Sequence, residues 1–301
     1  MQHEALDHDR TIDRRGFLRT AGAAALAAAA GPGALLAQDA DAKKRATALW
    51  NQEPKPPYAP FRIAIQSYSM RKFDFEKAIE TLFDLHVPFI EIWPDHMPLN
   101  LSDFDFKKFV KAMRHNMVAK IGYGVVDFGK DAEKNRAAFE FGRKLNLWAI
   151  TADPEPESFP SLEKLVEEFK IKIAIHNHGP EDKHWGTPDR LEKALQGKHP
   201  SIGLCVDTGH YLLAGVDPIE VVRKFKDRVY EVHLKDVKTE GGKKKYSLLG
   251  QGDLDLVALL KELKKVGFRG GLAIEYEEDE DNPVPALEKC LKAVQEAVKK
   301  L

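Results

Sequence analysis

Imidazoles and carboxylates recur at one kind of place in this chain, just after short apolar runs and just before a turn or helix signal. The segments read Ile175-His176-Asn177-His178, Val206-Asp207-Thr208-Gly209-His210, Val232-His233-Leu234-Lys235-Asp236 and Ile274-Glu275-Tyr276, with Ile90-Glu91-Ile92-Trp93 earlier. Apolar runs of this length, ended by turn residues, are strand-like. Side chains on a strand alternate between faces, so residues two apart point the same way. His176 and His178 therefore share a face with Ala174, opposite Ile173 and Ile175. Asp207 shares one with Cys205. Glu231, His233 and Lys235 share another, and Glu275 lies with Ala273 and Glu277. Taken singly, such a His or Glu is an ordinary surface or satisfied core residue. Four of them aimed inward from four successive strands would be costly unless paired or ligated. Two imidazoles and two carboxylates make a divalent-metal site, and suit Mn, Zn, Co or Fe better than Mg or Ca.

The elements that must position these residues alternate regularly. Strand-like runs fall at 61–68, 89–93, 117–125, 147–152, 171–177, 202–207, 229–235 and 270–276. Helical patterns lie between them, near 74–86, 104–115, 131–145, 160–170, 188–196, 218–226, 255–266 and 284–300. Asp74, Thr187 and Asp255 stand as N-cap candidates, and Asp217-Pro218-Ile219-Glu220 places a cap, a first-turn proline and a capping-box glutamate in order. Strict β/α alternation means parallel strands with crossover helices. The expectation is an α/β fold with a single (β/α)8 TIM barrel, whose C-terminal strand ends converge on the face where chemistry sits. The alternative is an open doubly wound sheet, disfavoured by eight units and by the lack of a Gly-rich phosphate turn.

The N-terminal part reads differently. Asp13-Arg14-Arg15-Gly16-Phe17-Leu18-Arg19 resembles a twin-arginine motif, and an uncharged, alanine-rich stretch follows from Thr20 to Ala37. That stretch lacks the bulk and length for stable membrane insertion. The expectation is a signal peptide over 1–37, a partner in the twin-arginine (Tat) export machinery, and a periplasmic or exported destination. Gln38 to Pro60, with Asn51-Gln52-Glu53-Pro54-Lys55-Pro56-Pro57, reads as a proline-bearing linker. The barrel then covers 61–301. The chain carries 46 Lys plus Arg against 47 Asp plus Glu, and its first 37 residues hold four of each sign, so the remainder keeps net −1. No electrostatic footprint for nucleic acid is present. Lys243-Lys244-Lys245 reads as a solvated loop. Cys205 on an inward strand face and Cys290 on the last helix are not expected to form a disulfide. His86, His115 and His199, near helix ends, read as structural.

From Phe61 to Leu301 the chain resembles the xylose isomerase-like TIM-barrel superfamily (the sugar phosphate isomerase/epimerase family). The resemblance rests on His176-Asn177-His178-Gly179, Asp207-Thr208-Gly209-His210, His233-Leu234-Lys235-Asp236, Glu275, and the loop Leu249-Gly250-Gln251-Gly252-Asp253. It implies one divalent metal ion held by His176, Asp207, His233 and Glu275. It also implies that His210 contacts substrate or a second metal. Many epimerases of this family have Glu where His176 stands, and there two glutamates flank the sugar carbon as a base and an acid. Here that symmetric pair is broken.

The first reading is an exported, metal-dependent isomerase or epimerase acting through an enediolate on an unphosphorylated sugar. Glu275, His178, His210 and Lys235 would be its catalytic groups. The second is a metal-dependent lyase or hydratase on a keto-sugar or 3-keto-glycoside, which export and His176 favour. A third is a non-catalytic carbohydrate-binding barrel, and the endonuclease branch comes last. Glu91, Trp93, Gln66 and Trp185 are the candidate substrate contacts, with Trp185 covering the pocket mouth. Whether the chain forms a homo-oligomer is left open.

Overall fold

The computed structural model describes residue 54 and residues 57–301. The expected signal segment and most of the expected linker lie outside the described residues. Tyr58, near the end of that linker, is already packed into the barrel's core, 5 % exposed, with Gln295 Nε2 donating to its hydroxyl at 2.9 Å.

The fold is α/β, a single nearly closed parallel barrel wrapped by helices. Its strands begin β1 (Arg62–Gln66), β2 (Phe89–Ile92), β3 (Ala119–Tyr123), β4 (Val126–Phe128) and β5 (Ala149–Pro154). They continue β6 (Lys172–His176), β7 (Ile202–Asp207) and β8 (Val229–Leu234). An antiparallel hairpin, β9 (Asp236–Glu240) and β10 (Lys243–Ser247), precedes the last barrel strand, β11 (Gly271–Ile274). The helices are α1 (Phe75–Asp84), α2 (Asp103–His115), α3 (Ala132–Leu145), α4 (Phe159–Phe169) and α5 (Pro188–Leu195). After them come α6 (Thr208–Leu213), α7 (Pro218–Lys224), α8 (Leu256–Lys265) and α9 (Val284–Val298).

The sheet runs β3-β2-β1-β11-β8-β7-β6-β5-β4, so β3 and β4 are its two ends. Only Gly124 and Val125 separate them in sequence. The strand expected over 117–125 holds only β3, which pairs with β2, while β4 lies just beyond it and pairs with β5. At the break, Gly124 passes against Thr151 of β5. A Cβ on Gly124 would collide with the carbonyl of Thr151, so only glycine fits. Gln66 Nε2 donates to the Gly124 carbonyl at 3.0 Å and ties the break to β1.

Helix placement follows from local chemistry. In α1, Phe75, Ala78, Ile79 and Leu82 are buried at helical spacing, each large side chain gaining roughly 1.5–3 kcal/mol by leaving water. Asp74, Asp217 and Asp255 accept the cap hydrogen bonds expected of them. Thr187 occupies its cap position without a side-chain hydrogen bond. The inner face of the barrel carries a separate apolar cluster of Ala64, Phe89, Ala119, Ile121 and Ala273. These share strand faces with Gln66, Glu91 and Glu275, which fixes those three as inward-facing.

One expectation is corrected here: Lys243, Lys244 and Lys245 are exposed as expected but belong to strand β10, not to a loop. The residues after Asp207 form a short helix, α6, capped by the Asp207 side chain, which accepts from the His210 N–H at 2.7 Å. Cys205 and Cys290 are both free and buried.

Candidate metal centre and active site

The ends of β6, β7, β8 and β11 bring His176, Asp207, His233 and Glu275 together. Each offers one donor atom, and the four atoms lie within 4.8 Å of one another. All four side chains are buried. Backbone register explains the meeting: Asp207 is level with His233 across β7 and β8, and His233 is level with Ala273, two residues before Glu275. The β7–β8 ladder shifts between Val229 and Glu231, with Tyr230 as the extra residue. That bulge sets which residues of β8 face inward beyond it.

The donor atoms point at one spot. His176 Nε2 lies 3.1 Å from His233 Nδ1 and 3.4 Å from Asp207 Oδ2. His233 Nδ1 lies 3.0 Å from Glu275 Oε2. Asp207 Oδ2 and Glu275 Oε2 are buried without a hydrogen-bond partner, although the Lys235 ammonium lies 3.1 Å from each. Buried carboxylate oxygens are rarely left so. Two orphaned oxygens and two converging imidazole nitrogens are the donor set of a borderline divalent ion, so the residues fit the metal that the resemblance implies.

Electrostatics put three of the donors in ligating form and leave a proton on the fourth, His233, which an ion bound at Nδ1 would displace. Burial pushes His176 down to about 3, against the pull of Asp207, so it is neutral. Burial opposes ionisation of Asp207, yet His210, Lys235 and His176 hold it well below the usual carboxylate range. Glu275 is likewise held low by Lys235 and His233 in spite of burial. Burial would lower His233, but Cys205, Glu91 and Glu275 raise it well above its ordinary value, so a positive charge is favoured there. Lys235 is also raised, its desolvation outweighed by Asp207, Glu275 and Glu277.

A supporting layer lies behind the donors. Glu91 Oε2 accepts from His233 Nε2 at 2.7 Å, while Thr151 Oγ1 donates to its other oxygen. This carboxylate–imidazole pair leaves Nδ1 for the centre. Asn177 bridges the strand ends, its Nδ2 donating to the Asp207 carbonyl at 3.1 Å and its Oδ1 accepting from the Asp207 N–H at 2.9 Å. Thr208 Oγ1 donates to the Lys235 carbonyl at 2.6 Å. Asp236 accepts from the N–H groups of Val237, Gly250, Gly252 and Leu254, and so holds the glycine-rich loop.

The open side carries the proton-transfer candidates. His178 is half-buried, its ring centroid 4.7 Å from that of His176, with Nδ1 3.6 Å from Asp153 Oδ2. His210 stands 5.6 Å from His176 and 5.7 Å from His178, centroid to centroid. Lys235 also pairs with Glu277.

Three expected substrate contacts are elsewhere. Glu91 is fully buried beneath His233, turned to that ring and away from solvent. Gln66 is 1 % exposed, its amide used by the Gly124 carbonyl and the Tyr68 N–H. Trp185 is 3 % exposed, packs on Phe159 and donates from Nε1 to the Pro154 carbonyl at 3.0 Å, so it anchors its loop and does not cover a mouth. Trp93 is half-buried, edge-on to Tyr68 at 5.2 Å.

Sequence reasoning missed Thr151, Asn177 and Tyr246. Thr151 carries no signal in an apolar strand. Asn177 stands between two histidines with the opposite parity. Tyr246 reaches His210 from the β9–β10 hairpin, with Oη 3.0 Å from Nδ1. The hairpin had a signal, since Glu240-Gly241-Gly242-Lys243 is a two-residue glycine turn.

Comparison with known proteins agrees with this architecture. Residues 157–297 match the family model described as xylose isomerase-like TIM barrel. An inosose dehydratase of Clostridium tetani (strain Massachusetts / E88) is 32 % identical over 153 residues, covering 45 % of this chain and 51 % of that protein. The chain spans about half the length of the curated relatives it matches. An uncharacterised protein of Parabacteroides distasonis ATCC 8503 superposes with TM-score 0.62 at 25 % identity, over 78 % of this chain and 98 % of that one. The IOLI protein, crystallised with a binding zinc atom, superposes with TM-score 0.67 at 18 % identity, over 80 % and 99 %. The described residues thus fold as a TIM barrel, and the segment 157–297, which carries all four converging donors, matches the model of the xylose isomerase-like family.

Proposed function

We propose that this protein is a divalent-metal-dependent carbon–oxygen lyase, expelling water or an alcohol β to the carbonyl of a keto-sugar or related polyhydroxylated ketone. The observation that carries this reading is the asymmetry of the centre. Glu275 stands on one side, but the facing position at the end of β6 is His176, a buried imidazole whose Nε2 is turned to the donors. The pair of carboxylates that a two-sided epimerisation would use is absent from these strand ends. One-sided proton transfer with loss of a leaving group needs no such pair. The similarity to an inosose dehydratase supports the same choice, and moves the lyase ahead of the isomerase that the sequence alone ranks first.

His176, Asp207, His233 and Glu275 would hold the ion, and Glu91 would orient His233. Bound there, a divalent ion polarises a carbonyl and acidifies the neighbouring C–H. Lys235 offers an ammonium to the oxygen on which negative charge grows. His178 and His210, on the open side, take the proton from carbon and return one to the departing oxygen. The C–H bond breaks, its electron pair forms the new C=C bond, and the β C–O bond breaks with its pair on oxygen. Export by the twin-arginine route is part of the proposal and suits an unphosphorylated substrate.

The test is NMR in deuterated water with a panel of keto-sugars, inososes and 3-keto-glycosides. Release of water or an aglycone, with the unsaturated or rehydrated ketone as product, is the expected result. Deuterium uptake with inversion and no released group would make the protein an epimerase. No reaction with any of the panel would remove the reading.

A further inference from the structure

We propose that Tyr246 is a positioning residue that fixes the tautomer of His210, so that His210 Nε2 presents a lone pair to the substrate. The catalytic consequence rests on the lyase reading, while the tautomer itself does not. Hairpin β9–β10 leaves the barrel directly after Lys235 and returns through Tyr246, which pairs with Val237 near the hairpin's base. The phenol Oη then lies 3.0 Å from His210 Nδ1. The other ring nitrogen, Nε2, lies 3.5 Å from the Lys235 ammonium.

These two partners differ in what they can do. An ammonium has donors and no lone pair, whereas a phenol can donate or accept. Nε2 must therefore accept from Lys235. A neutral imidazole then carries its hydrogen on Nδ1 and donates it to Tyr246 Oη. A ring whose Nε2 accepts from Lys235 and whose Nδ1 meets the phenol carries a single hydrogen, so it is neutral. The phenol stays protonated, pushed up chiefly by burial.

Lys235 is held in place to enforce this. Its ammonium sits among Asp207, Glu275 and Glu277. Its stem crosses Gly209, where a Cβ would come within 2.7 Å of Lys235 Cγ. Any larger residue at 209 would displace the stem. Tyr246 also lies beneath the ammonium, its ring centroid 5.4 Å from Nζ.

A base oriented by a third group is the arrangement that activates imidazoles in hydrolytic triads. When Lys235 turns to a substrate oxygen, Nε2 is free to take the proton from carbon. The C–H bond breaks, the N–H bond forms at Nε2, and the electron pair passes into the carbonyl system. The hydrogen on Nδ1 stays with Tyr246, so no proton has to cross the ring.

The experiment uses the full chain, metal-free and labelled with 15N-histidine. Two-bond 15N–1H correlation reads each tautomer, and His210→Gln assigns the signals. The expected result is protonated Nδ1 and bare Nε2 in the parent protein. Tyr246→Phe should give a mixed or Nε2–H ring with unchanged metal stoichiometry, and Lys235→Met should mix the tautomers with Tyr246 intact. On the keto-sugar that the parent turns over, Tyr246→Phe should lower kcat about 10-fold with KM within about twofold. An Nε2–H tautomer in the parent, or an unchanged His210 spectrum in Tyr246→Phe, overturns the proposal. A shifted tautomer with parental kcat overturns its catalytic part. If the parent turns over no keto-sugar, the lyase reading fails alone, and the spectra still decide the role of Tyr246.

Discussion

His233 is held from both ends, and that makes the centre testable residue by residue. One ring nitrogen meets Glu91 and the other meets Glu275. Asp207→Ala and His233→Ala each remove a donor and should cut metal content, read by elemental analysis, from about one ion per chain to near zero. Full content in both would reject the ligand set. Glu91→Ala leaves all four donors but frees the His233 ring, and should weaken metal binding about 10- to 100-fold in a competition titration. Unchanged affinity would return Glu91 to some other task. Glu275→Gln should abolish turnover with some metal loss. His178→Ala should lower turnover about 100-fold with metal retained; parental activity in either variant would reject the role given to that residue, metal holding for Glu275 and proton transfer for His178.

At the scale of elements, the hairpin and the glycine-rich loop behave as one device. Both follow β8 and both are gathered on the Asp236 carboxylate, which takes four backbone N–H bonds. A helix pattern could place neither, because the only sequence trace is a glycine turn and two isolated glycines. Asp236→Ala strands those donors, and should cost about 3 kcal/mol in a denaturant titration. The loss should also release Tyr246 from His210, since Asp236 pairs directly opposite Ser247 in the hairpin. A parental unfolding midpoint would show that water replaces the carboxylate without penalty. The helices are simpler. Their caps and apolar stripes were readable in sequence because both depend on residues within one or two turns of each other.

For the whole molecule, the metal and the fold are coupled. The donors come from four strands spread over residues 176–275, so an ion that bridges them binds the folded chain and not the unfolded one. At about 1,000 times its dissociation constant, the ion adds about 4 kcal/mol of stability. Dialysis against a chelator should therefore lower the Tm by several degrees, with full recovery on adding zinc or manganese. A Tm that ignores the metal would mean that the four donors hold no ion tightly. Export is tested on the chain as synthesised. Replacing Arg14 and Arg15 by lysine should leave unprocessed precursor in the cytoplasm, and unchanged processing would rule the twin-arginine route out.

Sequence alone determined what depends on period and order. Eight apolar runs alternating with eight helical stripes imply parallel strands, and parity along β6, β7, β8 and β11 turns His176, Asp207, His233 and Glu275 to the same face. The number of units and the face of each residue are local properties, and they turn the four donors inward together with His178, Glu231 and Glu277; the family resemblance is what singles out the four. Tertiary structure decided what depends on distance between strands that are remote in sequence. Whether Glu91 meets sugar or His233 depends on the depth at which β2 sits against β8 across the barrel. Gln66 lost its expected role for the same reason, because the break at Gly124 brings a carbonyl within its reach. Tyr246 gained one because a hairpin folds back over Lys235. Parity gives a side chain its direction, and only packing gives it a neighbour.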